Sequence, residues 1–569
     1  MTRWPLLLLG LGAIVGLGYW ASATATEREP AGRGAGSAVG PRVRPQGGAM
    51  VGAVTAPNDL NPFTTQEQVA RRFVLRYTHD TLLDLDPQQG TLRPAAAITH
   101  ERLDDGRRVR FTLRPDLRFA DGTVATVEDA LFAYRAGRSA DLPLGAFGIV
   151  MDYIADVAAL DERRFDLVLT EPTRRALGLV ATGYPLLSRA FFVGAAAQQA
   201  EATGTTTAPG EPGFGAQLRL VNDPGPGTGP YALPRDRDGR LRRPVDRLDL
   251  VANPHAWHRA ARPASWNLAT LRLLYLADPA ARRAALRRQE IDWLVVRDPT
   301  ARLADDPALA KHYRGLSYDH LYGGTYLIVW NHRRPGLDDA RSRRALTHLF
   351  DRRAIAMALF AGAANPPAGW FPPGSPFAPP DAAPLEHDPA AARRLLEQVA
   401  ATGATPPQTL SLIHATEAPE HARIAELVQP SFAKAGLDLQ LEPMPWPQMR
   451  ARLDARDFDG MLLVLSGDPW QEPYAYFHSS QTEVRNWMGY HSERADRLLA
   501  EARTTSDAAR RTTLLRELAT VLRDDQPVTL VARPRTNVLL HRRFRDAEPT
   551  LLGLVPETWW VPEEEQRQL

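Results

Sequence analysis

In the second half of this 569-residue chain, amphipathic helical segments alternate with short strand-like runs. The helical segments carry apolar residues at three- and four-residue spacing, which predicts one buried face for each. We predict helices at Ala340–Phe360, Pro389–Ala401, His421–Ala435, Ser492–Thr504 and Ala508–Arg523. Strands are predicted at Tyr326–Trp330, Thr409–Ile413, Leu437–Leu441, Gly460–Leu465 and Val528–Val531. This alternation predicts an α/β or α+β body.

The first half shows the same two kinds of signal at fewer places. Met50–Thr55 is a short β-prone segment, and Val109–Arg114 alternates apolar with polar residues as a half-buried strand does. Thr126 precedes Glu128 and Asp129, which predicts a helix that begins with a threonine N-cap and two carboxylates near its positive end.

Composition excludes several classes of function. The chain has no cysteine, which rules out disulfides, thiolate nucleophiles, iron–sulfur clusters and a lipidated N-terminal cysteine. It has two lysines, Lys311 and Lys434, and neither follows a glycine, so there is no phosphate-binding Walker-A loop. The net charge is +2 and no polybasic run concentrates positive charge, so we predict no nucleic-acid partner.

The N-terminal segment has the features of an export signal. Arg3 precedes an apolar run from Leu6 to Trp20, and the small residues ASATA follow at 21–25. We predict a signal peptide at residues 1–25 and a flexible Gly/Pro/Arg-rich linker at residues 26–49. The apolar run is short for a membrane-spanning helix, which needs about 20 residues. If the segment is not cleaved, it acts as a membrane anchor instead.

Catalytic signatures are missing from the sequence. It contains neither His-Glu-x-x-His nor Gly-x-Ser-x-Gly. His255 and His258 are three residues apart, but the Pro254 loop context predicts two solvated histidines rather than a metal site. Asp84 and Asp86 form a carboxylate pair for which a solvated turn is the simpler interpretation. We therefore predict a protein that is not an enzyme and has no catalytic residues, no cofactor and no metal site.

A series of short strings, in a particular order, carries the most specific information. They include Asp59-Leu60-Asn61-Pro62, Asp80-Thr81-Leu82-Leu83, Arg118-Phe119-Ala120-Asp121-Gly122, Gly227-Thr228-Gly229-Pro230-Tyr231, Asp351-Arg352, Asp388-Pro389, Gly467-Asp468-Pro469 and His478-Ser479-Ser480-Gln481. Together they closely resemble the extracytoplasmic solute-binding proteins of the peptide/nickel class, family 5, which feed ABC importers. The resemblance extends from about Met50 to about Phe544.

The resemblance implies a fold and a division of the chain. The fold would be the two-lobed periplasmic binding protein of the large peptide-binding type (class II, cluster C), α/β with mixed sheets and flanking helices. Lobe 1 would contain residues 50–322 and a returning segment, 532–569, and lobe 2 would contain residues 323–531. The strands at Tyr326–Asn331 and Val528–Val531 would then carry the hinge that closes the lobes on a ligand.

The resemblance also implies where ligand is held. In peptide-binding relatives an aspartate of lobe 2 takes the ligand's α-ammonium, and the corresponding segment here is Ser466–Pro473. This segment departs from the family pattern in Gly467 and Pro469, which flank Asp468. Candidate ligand-binding residues are Asp468, Trp470, Glu472, His478, Trp370, Asn331 and Tyr231. Six of the seven have a structural alternative: a turn cap for Asp468, a helix cap for His478, core packing for Trp370, Trp470 and Tyr231, and a backbone hydrogen bond for Asn331. Glu472 is the acceptor that competes with Asp468.

Three functions follow from these expectations. The leading one is a monomeric periplasmic receptor that captures an oligopeptide or related solute and delivers it to the permease subunits of an ABC transporter. The second is a receptor for a nickel chelate, haem, opine or sugar. The third is a hydrolase or a membrane-anchored sensor on the same scaffold. The absence of a nucleophile–base pair argues against the hydrolase, and cleavage of the N-terminal segment would argue against the anchored sensor.

Overall fold

The computed structural model describes residues 44–203, 213–296, 306–321, 323–362, 364–467, 470–505, 507–567 and 569. The predicted signal peptide lies outside these residues, as does the predicted linker up to residue 43. Contacts divide the described chain into two compact units. Residues 295–296 and 316–537 form unit 1, and residues 44–294, 306–315 and 538–569 form unit 2, each less the gaps above.

The elements are numbered in chain order. The strands are β1 (Ala49–Val54), β2 (Leu83–Leu85), β3 (Leu92–Pro94), β4 (Ala97–Leu103), β5 (Arg108–Leu113), β6 (Ile154–Ala159), β7 (Arg164–Leu169), β8 (Tyr231–Ala232), β9 (Arg247–Ala252), β10 (Thr270–Tyr275), β11 (Trp293–Val295), β12 (Tyr313–Tyr318), β13 (Thr325–Trp330), β14 (Ala364–Asn365), β15 (Thr409–Ala415), β16 (Asp438–Met444), β17 (Gly460–Leu465), β18 (Val528–Pro534) and β19 (Thr536–His541).

Helices connect most of these strands. They are α1 (Arg76–Thr78), α2 (Val127–Gly137), α3 (Phe147–Met151), α4 (Arg174–Gly183), α5 (Arg189–Thr203), α6 (Phe214–Leu218), α7 (His258–Ala261), α8 (Pro279–Arg287), α9 (Pro307–His312), α10 (Ala340–His348), α11 (Arg352–Phe360), α12 (Pro389–Ala401), α13 (Pro419–Lys434), α14 (Trp446–Asp454), α15 (Tyr474–Phe477), α16 (Glu493–Thr504) and α17 (Ala508–Asp525). A π-helical turn at Ala70–Leu75 leads into α1.

Unit 2 is organised by a mixed sheet in the order β12-β19-β11-β1-β10-β9-β8. Strand β1 pairs with β10 in parallel, and β10 pairs with β9 in antiparallel. Every residue of β1 is buried, because its AMVGAV sequence offers no polar face. A second sheet, β4-β5-β7-β6, is antiparallel, and β5 buries every second residue, as predicted for Val109–Arg114.

Unit 1 is built on a sheet in the order β14-β18-β13-β17-β15-β16. Its central strand β13 is buried throughout and pairs in antiparallel with both β17 and β18. Because successive side chains of a strand point to opposite faces, Tyr326, Ile328 and Trp330 pack into one apolar cluster with α10–α13. Leu327 and Val329 pack into the other cluster with α14–α17. Helices therefore cover both faces of this sheet.

The predicted helices of the second half are confirmed within a few residues, with one exception. The segment Ala340–Phe360 is two helices, α10 and α11, rather than one. Asp351 is the N-cap of α11, and its Oδ1 accepts a hydrogen bond from the Ala354 N–H at 2.9 Å. A new N-cap of this kind begins a second helix although the apolar spacing continues through it.

The division into units is close to the predicted lobe boundaries without coinciding with them. Within the described residues the chain passes between units at Leu294/Val295, Gly315/Leu316 and Asn537/Val538, inside β11, β12 and β19. The predicted hinge strands, β13 and β18, both lie inside unit 1. Strand β1 begins at Ala49, and the Gly47 N–H donates to the Asn267 carbonyl at 2.9 Å, so the last residues of the predicted linker are bonded to unit 2. Of the helices that the structure describes, none combines the length and apolar character that a membrane span requires.

Candidate ligand-binding site

The segment predicted to hold ligand follows β17 in unit 1. Its first described residue of interest is Gly467, where an added Cβ would overlap the carbonyl oxygen of Leu321. Glycine is therefore the residue that this close backbone approach permits. Asp468 and Pro469 lie outside the described residues. The position of Gly467 explains one of the two departures from the family pattern: it is a packing requirement of this chain.

Glu472 and Trp470 are held by two arginines of the same unit. The Glu472 side chain is 10% exposed, and its Oε1 lies 3.1 Å from Nε of Arg503. The Arg503 guanidinium also lies over the Tyr474 ring, 4.3 Å from its centroid. The main-chain carbonyl of Trp470 accepts a hydrogen bond from Arg511 at 3.0 Å. A ligand cation that approached Glu472 would have to share its carboxylate with Arg503.

His478 has a capping role in the turn that follows it. The Ser480 N–H donates to His478 Nδ1 at 3.1 Å, so Nδ1 is the unprotonated ring nitrogen. The imidazole stacks on the Tyr474 ring at 4.3 Å, and Asp496 lies 3.9 Å from Nδ1. Burial lowers the pKa of His478, which Asp496 partly opposes. The sequence alternative for His478 was a cap of the preceding helix, whereas the structure shows it capping the next turn.

Trp370 packs with the same aromatic group. Its ring meets Phe477 edge-on at 4.6 Å and lies 5.5 Å from Tyr476. The Arg533 guanidinium donates to the Trp370 carbonyl at 2.9 Å, which fixes the loop that carries the indole. The structure therefore brings Trp370, Glu472 and His478 to one aromatic segment, Tyr474–His478, of unit 1.

Two other candidates are bonded to main-chain groups. The buried Asn331 amide donates to the carbonyls of Arg456 at 2.9 Å and Phe458 at 3.0 Å, and its Oδ1 accepts from the Arg333 N–H. Tyr231 belongs to unit 2, is fully buried and donates its hydroxyl to the Leu268 carbonyl at 3.1 Å. Burial raises the pKa of the Tyr231 phenol. These contacts match the structural alternatives, a backbone bond for Asn331 and packing for Tyr231.

Two predictions of solvated side chains are wrong. His258 is buried, and its Nε2 lies 3.0 Å from Oδ1 of Asp80, while His255 is exposed. Asp84 lies in β2, where it pairs with Arg93 at 2.6 Å and Arg76 at 2.7 Å. Burial raises the pKa of Asp84, but the two arginines outweigh it and hold the pKa at about 2. The partner of His258 is a tertiary neighbour far along the chain, whereas Asp84 faces Arg93 across the antiparallel pair of β2 and β3. The sequence pattern around Asp84 predicts a surface turn in place of this short strand pair, so it does not show the contact.

Metal-ligand geometry gives no further candidate among the residues that the structure describes. No three histidine or carboxylate side chains converge there as a metal site requires. The described side chains around Tyr474–His478 present aromatic rings, the Glu472 carboxylate and hydrogen-bonding groups. Such groups recognise a small organic solute through stacking and polar contacts.

A comparison with protein families identifies the class. The family described as bacterial extracellular solute-binding proteins, family 5 Middle, matches residues 91–488, well over half of the chain. The chain belongs to this family, as the sequence strings indicated.

Individual relatives and solved structures agree with this assignment. The chain is 24% identical over 482 residues to di/tripeptide-binding protein 2 of Pseudomonas aeruginosa, which covers 80% of this chain and 84% of the relative. It is 26% identical to the probable D,D-dipeptide-binding periplasmic protein DdpA of Escherichia coli, over 74% of this chain and 75% of that one. The structure of HbpA2 from Haemophilus parasuis superposes with a TM-score of 0.75 at 19% identity, over 90% of this chain and all of HbpA2. The predicted fold class is confirmed.

Proposed function

We propose that this protein is an extracytoplasmic receptor that binds a short peptide and delivers it to an ABC importer. The observation that carries the proposal is the family match together with relatives named as di/tripeptide-binding proteins along most of both chains. A receptor of this kind acts by reversible binding and closure, without turnover. It works as a monomer in the periplasm, to which the N-terminal segment directs it.

A thermal-shift screen of dipeptides through pentapeptides tests this function. A ligand that binds only the folded protein stabilises it by about 2.7 kcal/mol at a concentration of 100 times its Kd. We expect selective stabilisation by some peptide lengths and none by free amino acids. The screen should include nickel–histidine and haem, because a solved neighbour is NikZ of Campylobacter jejuni in complex with Ni(L-His). If one of these compounds stabilises the protein and no peptide does, the protein is instead a receptor for a nickel chelate, haem or a similar solute.

Within this function, Asp468 is our candidate for the acceptor of the peptide's α-ammonium. It follows Gly467 at the position that corresponds to the ammonium-binding aspartate of the family. A hydrogen bond to a charged group is worth about 1.5–3 kcal/mol, or roughly a ten- to hundred-fold change in Kd. Asp468→Asn should raise the Kd for a free-amine peptide by this factor, and should raise the Kd for the N-acetylated form of the same peptide much less. Equal losses for both peptides would remove this role, and Glu472→Gln is the matched variant that tests the competing carboxylate.

The domain assignment is also a proposal. We propose lobes of residues 50–322 with 532–569 and of 323–531, preceded by a signal peptide at 1–25 and a linker at 26–49. N-terminal sequencing of the exported protein tests whether the signal peptide is removed. A mature N-terminus near residue 26 supports the free periplasmic receptor, whereas an intact Leu6–Trp20 segment supports the anchored one.

A further inference from the structure

A long proline-rich loop covers part of unit 1. Residues 366–388 connect β14 to α12 without a helix or strand, and they contain eight prolines. Loops longer than about 15 residues without secondary structure are uncommon in compact domains and usually have a function. The Arg533 guanidinium donates a hydrogen bond to the Trp370 carbonyl at 2.9 Å, and the Arg516 guanidinium donates one to the Pro376 carbonyl at 2.8 Å. The loop is therefore pinned in place over the sheet rather than loosely attached.

Beneath this loop lies a recess lined only by residues of unit 1. The recess and the open solvent at its mouth together contain about 470 Å³ of space. Apolar and aromatic side chains form much of its wall, including Trp370, Leu385, Phe477, Leu522, Val528 and Leu530. Two arginines, Arg352 and Arg523, also line it, and no carboxylate is among the lining residues that the structure describes. The recess therefore combines apolar walls with positive charge.

Arg352 brings a buried and incompletely satisfied cation to the recess. The residue is 6% exposed. Its guanidinium donates to the main-chain carbonyls of Leu530 at 2.7 Å, Leu385 at 3.0 Å, Thr347 at 3.3 Å and Phe350 at 3.4 Å. These four contacts leave one of its five N–H groups without an acceptor among the described residues.

The charge of Arg352 also lacks a direct counter-ion. No carboxylate within the described chain lies within ion-pair distance of its guanidinium. Glu386 acts on Arg352 only through its charge, and its carboxylate pairs with Arg353. Burial lowers the pKa of Arg352 to about 10, so the side chain is still cationic at neutral pH. A buried cation of this kind gains free energy when an anion reaches it.

Arg523 adds a second positive charge at the same recess. It lies in the last turn of α17, and its guanidinium makes no hydrogen bond or ion pair with any described side chain. A cation at a helix C-terminus is favoured by the helix dipole alone. Arg523 and Arg352 are both among the residues that line the recess.

We propose that this recess binds a small organic carboxylate, with its anionic head on Arg352 and Arg523 and its apolar body against Trp370 and Phe477. The planar guanidinium of Arg523 can donate two parallel hydrogen bonds to a carboxylate, and Arg352 can add its one remaining N–H. Inorganic phosphate would satisfy the charge but would leave the aromatic wall unused. The recess shares Trp370 and Phe477 with the candidate ligand-binding site, whereas Arg352 and Arg523 are not among the candidate peptide-binding residues. The two arginines are therefore the positions at which this binding can be tested apart from the proposed peptide function.

Benzoate and its uncharged isostere benzamide test the proposal on the full-length chain. We expect benzoate to bind with a Kd at least ten-fold lower than that of benzamide by calorimetry, and to change tryptophan fluorescence through Trp370. Inorganic phosphate should bind more weakly than benzoate. Equal binding of benzoate and benzamide, no binding of benzoate at millimolar concentration, or stronger binding of phosphate would each overturn the assignment.

Variants connect the binding to the two arginines. Arg523→Gln should raise the Kd for benzoate at least ten-fold. It should leave both the Kd for benzamide and peptide-induced stabilisation unchanged. Arg510→Gln, on the same helix but outside the recess, is the matched control and should not change benzoate binding. An Arg523→Gln variant that binds benzoate like the wild type would overturn the site. Peptide stabilisation measured in the same variants separates a failure of this site from a failure of the proposed receptor function.

Discussion

The two units bury arginine in different ways. In unit 2 the Arg543 guanidinium is 3% exposed and lies 2.6 Å from Asp292, whose carboxylate is fully buried. In unit 1 the buried Arg343 makes five hydrogen bonds, all to main-chain carbonyl oxygens of residues 337, 338, 525 and 526. One unit neutralises a buried cation with a carboxylate, and the other surrounds it with peptide dipoles.

This difference follows from how the chain builds each unit. Unit 2 collects segments from both ends of the chain, and Asp292 also accepts the Val51 N–H at 2.8 Å, while Arg543 donates to the Ala49 carbonyl at 2.6 Å. The ion pair therefore ties the first strand, the segment before β11 and the C-terminal segment together. In unit 1, Arg343 joins the start of α10 to the C-terminus of α17, where carbonyls without helical partners need donors. Unit 2 uses ion pairing to connect distant segments, and unit 1 uses an arginine to complete helix ends.

The largest effect should come from breaking the ion pair of unit 2. Asp292→Ala leaves Arg543 buried without its carboxylate, which typically costs about 3–5 kcal/mol of unfolding free energy. Chemical denaturation of the full-length chain measures this loss. Glu290→Ala is the matched control, because Glu290 pairs with the exposed Arg288 and exposed pairs contribute at most about 1 kcal/mol. Similar losses for the two variants would show that Asp292 does not hold the unit together.

A smaller loss should follow from removing the carbonyl-bound arginine of unit 1. Arg343→Met leaves several buried carbonyl oxygens without donors, at a cost of about 1–3 kcal/mol. The loss is smaller than for Asp292→Ala because burial already disfavours the cation and lowers the pKa of Arg343 to about 10. The same denaturation experiment measures it, with Arg344→Met on the neighbouring position as control. If Arg343→Met costs more than Asp292→Ala, the contrast between the units is wrong.

A third test uses acid and measures the change in stability with pH. His79 of unit 2 is buried, with Nε2 at 2.8 Å from the Pro224 carbonyl, and burial lowers its pKa to about 4. In the unfolded chain the His79 imidazole binds a proton near pH 6.5, whereas in the folded chain it does so only near pH 4. The contribution of His79 to the free energy of unfolding is therefore complete above pH 6.5 and is lost as the pH falls towards 4.

The expected slope is about 1.4 kcal/mol per pH unit within this window. Denaturant midpoints measured from pH 7 to about 4 should fall less steeply in His79→Gln than in the wild type. The exposed His255 provides the control, and His255→Gln should leave the slope as it is. If the His79→Gln slope equals that of the wild type, His79 does not take up a proton on unfolding.

The sequence predicts those parts of the fold whose signals are local. Asp388 before Pro389 and Ser492 before Glu493 mark helix starts, and both side chains accept a hydrogen bond from the first turn. The Asp351 cap has the same chemistry, but it is hidden inside a continuous apolar pattern, so one long helix was predicted in place of two. A capping residue predicts a helix start reliably when the apolar spacing of the helix also begins there. It predicts the start poorly when the apolar spacing continues through the cap.

The candidate site was less predictable because its contacts are tertiary. Nothing near His258 in the sequence shows that Asp80 is its partner, and nothing near Asn331 shows that two carbonyls near residue 457 take its amide. The pairing of Arg352 with the 366–388 loop is hidden for the same reason. A polar residue singled out in the sequence can therefore be committed to the main chain, as Asn331 is.

Native mass spectrometry of the protein purified from cells tests the receptor claim most directly, because ligands enclosed by such receptors often co-purify. Our account predicts a bound mass in the range of short peptides, released on unfolding and replaced by an added peptide. A bound mass that matches a metal chelate, or an empty protein that no peptide stabilises, would contradict it.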